Sequence, residues 1–501
     1  MKRRDFLKLA AGSAALSLLP REWALAAQDD WQAAFHAALA EKPWLLGWLG
    51  VDQPLLETEA LAIEGVWPRE LSGSFYRNGP ARHEIGTLRY RHWFDPDGMV
   101  HRYAIANGRV AHRGRMVATQ KYQAERAGGP LRQSYGTAPP GAAPISSGDA
   151  VNVANISMLS HAGRLFALWE GGSPYELDPL TLETLGPKVW SPETQGLPFN
   201  AHPRKDADGT LWAIGYALTA NVLVLYQIGA DGTLLRVAPL RFDRVPMVHD
   251  FVVTERHLVI VLPPYFADLG SAPTLAESFV WRGSEPARVV VVDKADLTQI
   301  RTHEMPAHFT FHYGNAWEDT DGSIRLDFAR YADPKIVSET FSAVQRGEWR
   351  GHFASHHLMT ISPRGAIREE PLLAPAQSGE FPHVDRRRVG RRHRKVTLLL
   401  REAFASANHP YFNSLARLDL ESGKLERYAF GPDLLPEEHV FVPRGGEDED
   451  DGWLIGTCLD FRRGVTQLGV FDARRVSEGP LAVARLPYAI PLGFHGTFVR
   501  A

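Results

Sequence analysis

The sequence predicts an all-β fold, a single seven-bladed β-propeller, and three features carry that prediction. Turn dipeptides are dense: Asp97-Gly98, Asn107-Gly108, Asp208-Gly209, Asp231-Gly232, Asp321-Gly322 and Ser422-Gly423 each separate short β-branched or apolar runs. Such pairs tolerate the left-handed backbone of tight hairpin turns, so they read as strand boundaries. The runs themselves, among them Val222 to Ile228, Val289 to Val292 and Val396 to Leu400, have the length and composition of strands. Finally, no linker divides the 501 residues. An undivided all-β chain is unusually long for a sandwich, whereas radial repetition of four-stranded blades absorbs it at about 67 residues per blade. No clean sequence repeat is visible, so the blades are inferred from strand number and chain length.

At the N-terminus, Lys2, Arg3 and Arg4 precede Asp5-Phe6-Leu7-Lys8, an apolar run from Leu9 to Leu19, and the small-x-small triplet Ala24-Leu25-Ala26. A basic head, a short apolar stretch and a cleavage triplet are the parts of an export signal. Arg-Arg-x-Phe-Leu-Lys resembles the twin-arginine type, with Lys2 where Ser or Thr is more usual. The run is short for a bilayer span. Residues 1–26 are therefore expected to be a cleaved twin-arginine-type signal peptide, an uncleaved anchor being the alternative, and residues 27–501 one exported, periplasmic domain. Transport of folded proteins suits a cofactor loaded in the cytoplasm. Trp31 to Leu46 has helical spacing and is expected to form one short helix, part of a helical and loop cap.

Two charged runs stand out later in the chain. Arg386, Arg387, Arg388, Arg391, Arg392, Arg394 and Lys395 make a basic cluster, and Glu447 to Asp451 an acidic one. Each is expected at a solvated loop or hairpin tip. Contact of the basic run with anionic lipid headgroups is the alternative.

Composition narrows the chemistry. A net charge of -3 offers no basic surface for nucleic acid. The single cysteine, Cys458, excludes an intrachain disulfide and a thiolate metal cage. Twenty histidines leave imidazole and carboxylate as the available ligands. Four histidines have distinctive surroundings: His202 in Phe199-Asn200-Ala201-His202-Pro203, His249 in Met247-Val248-His249-Asp250-Phe251, His312 in Phe311-His312-Tyr313-Gly314-Asn315, and His495 in Gly493-Phe494-His495-Gly496. Aromatic and apolar neighbours place these imidazoles in a protected interior. Their intervals of 47, 63 and 183 residues allow all four to face one central axis.

The chain resembles the carotenoid cleavage oxygenase family from about Gly65 to the C-terminus. Gly73-Ser74-Phe75-Tyr76-Arg77-Asn78-Gly79-Pro80 matches the family's opening signature, and His92-Trp93-Phe94-Asp95-Pro96-Asp97-Gly98-Met99 resembles a second block, with Pro96 in place of a glycine. The resemblance implies that His202, His249, His312 and His495 bind iron. It also implies that Glu170, Glu380 and Glu438 hold the far ring nitrogens, with Glu437 an alternative to Glu438. Such acceptors orient ligating imidazoles. Four imidazoles alone do not choose among iron, zinc and copper; Fe(2+) is implied by the family, as are O2 and an apolar alkene as reactants. No catalytic residue beyond the iron shell is expected. Phe94, Tyr135 and Trp169 are the expected substrate-pocket residues. In stilbene cleavers of the family a tyrosine, which Tyr135 could match, works with a lysine at the position of Trp169. Losing that cation favours a carotenoid or apocarotenoid over a stilbene. A non-catalytic binding propeller stands as a rival from another class. Peripheral membrane contact is expected of an enzyme with a membrane-dissolved substrate, and the stretch from Tyr265 to Trp281 is the candidate patch.

Overall fold

The computed structural model describes residues 30–143, 145–402 and 409–501; the expected signal, residues 1–26, lies outside them. Seven antiparallel sheets of four or five strands make the blades. Each blade runs outward from an innermost strand. The second to sixth start this way at Ser157–His161, Arg204–Lys205, Val252–Val253, Phe309–Glu318 and Ser378–His383, and the seventh at Leu434–Pro443. The expected runs are strands: Val222–Ile228 is one, and the others lie inside Ala287–Asp293 and Lys395–Arg401. Their side chains are buried on both faces, one toward each neighbouring blade, which explains runs of Val, Leu and Ile without polar alternation.

The ring is closed twice by exchanged strands. The last strand, His495–Arg500, pairs with Gly73–Arg82 and becomes the innermost strand of the first blade. Ala62–Gly65, from near the start, pairs with Pro480–Arg485 and forms the outer edge of the last blade. Gly79 permits the first closure, because a Cβ there would lie 2.3 Å from the Gly493 backbone.

Two expectations need correction. The segment from Trp31 is an α-helix only over Trp31–Glu41, and a separate 3-10 helix follows at Pro43–Trp48. Pro43 cannot donate to the preceding turn and drives Lys42 out of helical geometry. Asp97-Gly98 is not a turn but the start of the strand Asp97–Ala106. Its glycine is needed because a Cβ would lie 2.4 Å from the Ala154 carbonyl oxygen. Asn107-Gly108 does form the expected two-residue hairpin, with both residues at positive φ. The charged runs lie where expected, the acidic one at the tip of the hairpin of Leu434–Pro443 with Gly452–Asp460 and the basic one in the loop before Lys395–Arg401, and the two meet each other. Arg394 and Lys395 pair with Asp450, Arg388 reaches Glu447 at 3.6 Å, and Glu449 accepts from the Arg394 backbone N–H. Arg386 donates to the Thr497 hydroxyl, and Arg391 and Arg392 pair at the surface with Glu255 and Glu421.

A cap of short helices and loops covers one end of the ring. Phe35 of the first helix lies under the Arg89 guanidinium, which donates to the Gln345 and Trp48 carbonyls. Trp44, Trp48, Trp93 and Trp349 pack edge-to-face or tilted beneath it. No helix among the described residues is long and apolar enough to cross a membrane.

Candidate metal centre

The histidines lie on or just before the innermost strands of four blades. His202 lies two residues before Arg204–Lys205 and His249 three before Val252–Val253, His312 lies within Phe309–Glu318, and His495 begins the closing strand. The four imidazoles converge, with ligand atoms all within 4.8 Å of one another. Nε2 of His202 and Nε2 of His249 are 3.0 Å apart. Two metal–nitrogen bonds of about 2.1 Å at a right angle place their nitrogens about 3 Å apart, so this spacing fits a first-row ion. Nε2 of His312 is buried with no hydrogen-bond partner, which also fits, because such a nitrogen needs a partner of some kind. The donor set is that of a divalent metal site.

Carboxylates orient three of the four rings through Nδ1. Glu380 reaches His312 at 2.7 Å and Glu438 reaches His495 at 3.0 Å, while Glu170 contacts His249. Among the described residues no carboxylate pairs with His202. The choice between neighbouring glutamates is resolved by alternation along the strand: Glu438 faces His495, whereas Glu437 points to the Arg77 guanidinium at 2.7 Å. Each glutamate is itself held. Tyr216 donates to Glu170 at 2.5 Å, Tyr331 to Glu380 at 3.0 Å, and the Gly496 N–H to Glu438 at 2.7 Å.

Electrostatics keep these partners charged in the right sense. Burial pushes the Glu438 carboxyl up, but the His495 imidazole and its hydrogen bond outweigh that and carry it down to about 2. Glu380 is likewise held below its ordinary value, against burial, by His312 and hydrogen bonds. Burial and the three neighbouring imidazoles hold His202 well below the ordinary histidine range, so it stays neutral. Neutral imidazoles backed by carboxylates are strong metal donors.

Two apolar arms meet beside the cluster, and Phe94 and Ile156 line both. One passes His249, His312 and His495 beneath Phe311, Phe341 and Phe412. The other is bounded by Tyr135, Trp169, Met247 and Phe279. Phe94 stacks parallel to the His249 ring, 6.5 Å away. The three expected pocket residues thus share one arm. No lysine or arginine among the described residues lines either arm. Tyr135 keeps its hydroxyl proton, since burial pushes it well above the ordinary range, and that buried hydroxyl has no protein partner. Asp95 fixes the Tyr135 loop by accepting from the Gly136 N–H at 2.8 Å and from the Thr137 hydroxyl. A third, polar opening reaches His202, His312 and His495 along the axis and is lined by Arg204, Lys205 and Arg386.

Sequence reasoning missed Tyr216 and Tyr331, whose spacing carries no mark of a role, and the aromatic lining of Phe311, Phe341 and Phe381. It also passed over Asp250 although it stands next to His249.

Comparison with known proteins agrees with this geometry. The family model described as Retinal pigment epithelial membrane protein matches residues 51–500. The Apocarotenoid-15,15'-oxygenase of Synechocystis sp. is 31% identical over 87% of this chain and 92% of that protein. The Carotenoid 9,10(9',10')-cleavage dioxygenase 1 of Pisum sativum is 30% identical over 93% of this chain and 91% of that protein. The Resveratrol cleavage oxygenase 1 of Aspergillus fumigatus is 26% identical over 88% and 92%. Among solved structures, cobalt-substituted Synechocystis apocarotenoid oxygenase superposes with a TM-score of 0.82 at 28% identity, covering 92% of this chain and 98% of that one.

Proposed function

The chain belongs to the carotenoid cleavage oxygenase family, and on that premise we propose that it is an Fe(II) enzyme cleaving a carotenoid or apocarotenoid double bond into two carbonyl products. Membership makes it a non-haem, metal-dependent oxygenase acting on an alkene with O2, and the binding-scaffold rival falls away. The observation that carries the substrate reading is the pair of arms, apolar and free of cations, that meet beside four imidazoles.

His202, His249, His312 and His495 would hold the ion, and Glu170, Glu380 and Glu438 would orient three of them. When bound, the ion supplies O2 activation. The protein's own contribution is placement and exclusion. Phe94, beside His249, bounds the space where an alkene would lie, and Phe311 and Phe341 keep water away from reactive species. No protein acid or base is required at the scissile bond.

Trp169 supports a polyene over a phenol. It adds apolar area where stilbene cleavers place a lysine, and Glu170 is the one ionisable group other than tyrosine in that arm. The unpartnered Tyr135 hydroxyl favours a second reading, a hydroxystilbene whose phenolic oxygen accepts from it. Incubating the iron-loaded protein with a carotenoid, an apocarotenoid and a hydroxystilbene tests both. Oxygen-dependent loss of polyene absorbance and two carbonyl fragments by mass are expected. Turnover of the stilbene alone would overturn the polyene reading, and a protein with no affinity for Fe(II) would overturn the metal reading.

Two further readings concern location. The segment Arg3-Arg4-Asp5-Phe6-Leu7-Lys8 supports twin-arginine export to the periplasm, which cell fractionation with Arg3→Lys and Arg4→Lys tests: the doubly substituted protein should stay cytoplasmic. Leu269 and Val280, 41% and 44% exposed, sit on the hairpin of Tyr265–Ala267 with Phe279–Trp281. Phe279 and Leu275 from the same segment line an arm, and this supports peripheral membrane contact near its mouth.

A further inference from the structure

We propose that Arg204 is a positioning residue that sets the arrangement of the histidine cluster, by gripping the backbone beside two of its members from a place two residues after a third. The proposal rests on the reading that the cluster binds a divalent ion.

The strand that carries His312 is irregular. Phe309–Glu318 pairs with Ile324–Tyr331 out of step, with register shifts between Thr310 and Tyr313 and again between Tyr313 and Ala316. Such bulges re-aim side chains and withdraw backbone groups from the ladder. His312 lies in the first of them. The backbone groups around it must find other partners, because buried N–H and C=O groups are costly to leave unpaired.

Side chains supply those partners. The Tyr313 N–H donates to Asp250 Oδ2 at 3.0 Å, and the Asn315 N–H to Asp327 Oδ1 at 3.0 Å. The Tyr313 and Gly314 carbonyls accept from Arg204 Nη2 and Nη1, each at 3.1 Å. The same guanidinium donates through Nε to the Phe251 carbonyl at 2.9 Å and through Nη2 to Asp250 Oδ2 at 2.6 Å. One planar group therefore joins the residues just after His249 to those just after His312. Its own backbone follows His202. Space for this packing is tight: a Cβ on Gly314 would lie 2.0 Å from Asp327 Oδ2.

Arg204 lines the polar axial opening rather than either apolar arm, so it is placed to act on the ligands and not on an apolar substrate. The fork geometry matters as well as the charge. Three nitrogens reach four acceptors in fixed directions, which the single ammonium of lysine cannot reproduce. Loss of groups that orient metal ligands lowers affinity by about 10- to 100-fold.

The test uses Co(II) as probe with the full-length protein, and reads its dissociation constant by chelator competition and its visible d–d spectrum. Arg204→Met is expected to bind Co(II) about 10- to 100-fold more weakly with a changed spectrum, and Arg204→Lys to fall between it and wild type. Arg102→Met is the control, because Arg102 bonds Ser74 on the first blade, away from the cluster, and it should match wild type in both readouts. Circular dichroism establishes that each variant is folded. Should Arg204→Met not fold, Arg204→Lys decides: wild-type affinity and spectrum would overturn the proposal. Wild-type protein without Co(II) affinity would overturn the metal-site reading and this proposal with it. Wild type that binds while a folded Arg204 variant is indistinguishable from it overturns this proposal alone.

Discussion

Tyr216 donates its hydroxyl hydrogen to one oxygen of Glu170 at 2.5 Å while the other oxygen meets Nδ1 of His249. The carboxylate is held at both ends, so the His249 ring cannot turn without breaking a charge-assisted contact. Glu170→Gln should weaken metal affinity by about 10- to 100-fold. Tyr216→Phe, which removes one neutral donor, should cost about tenfold or less. Chelator competition measures both, and a larger loss in Tyr216→Phe than in Glu170→Gln would contradict this order.

Removing the metal should lower thermal stability. An ion that binds only the folded state at 100 times its dissociation constant adds about 2.7 kcal/mol. Differential scanning calorimetry should show a lower Tm after chelation, restored by Fe(II). His312→Ala should be insensitive to both treatments, since its loss leaves Glu380 without its imidazole and the cluster one ligand short.

Trp169→Lys should shift selectivity toward phenols. A lysine here would face an arm without another cation, where a hydrogen bond to a charged group contributes about 1.5–3 kcal/mol. The ratio of kcat/KM for a hydroxystilbene to that for an apocarotenoid should rise about tenfold or more. An unchanged ratio in folded, metal-loaded enzyme would show that position 169 does not read the substrate.

Asp95 gives a pH signature opposite to that of most carboxylates. Burial pushes it up to about 6, against the hydrogen bonds from Thr137 and Gly136. A raised carboxyl binds its proton more tightly folded than unfolded, so its stabilisation is complete below about pH 4 and is lost as pH rises through about 6. The difference in Tm between wild type and Asp95→Asn should therefore move in favour of the variant from pH 4 to pH 7. A difference that is flat or moves the other way would refute the assignment.

Much of this site was legible in the sequence because local context carried it. Each of the four histidines came with aromatic neighbours and a motif, and each strand run announced itself by Val, Ile and Leu between glycine turns. What was hidden depends on residues far apart in the chain. Asp97-Gly98 has turn composition, yet its glycine answers to the Ala154 carbonyl across a blade boundary. The basic and acidic runs look like separate solvated tips until the sixth and seventh blades bring Arg394 to Asp450. Glu437 and Glu438 are equivalent on paper, and only strand alternation assigns one to Arg77 and the other to His495. Arg204 carries no mark at all, since three of its four acceptors are backbone carbonyls and the fourth, Asp250, lies 46 residues away in the chain.

The exchanged closing strand has a consequence for the order of assembly. His495 enters the first blade with the strand that closes the ring, so the fourth imidazole reaches the axis only when that strand has paired with Gly73–Arg82. The site is therefore a checkpoint in time as well as a place. A chain in which that strand has not yet paired offers three imidazoles in an open ring, and full metal affinity marks the molecule whose first blade has been completed.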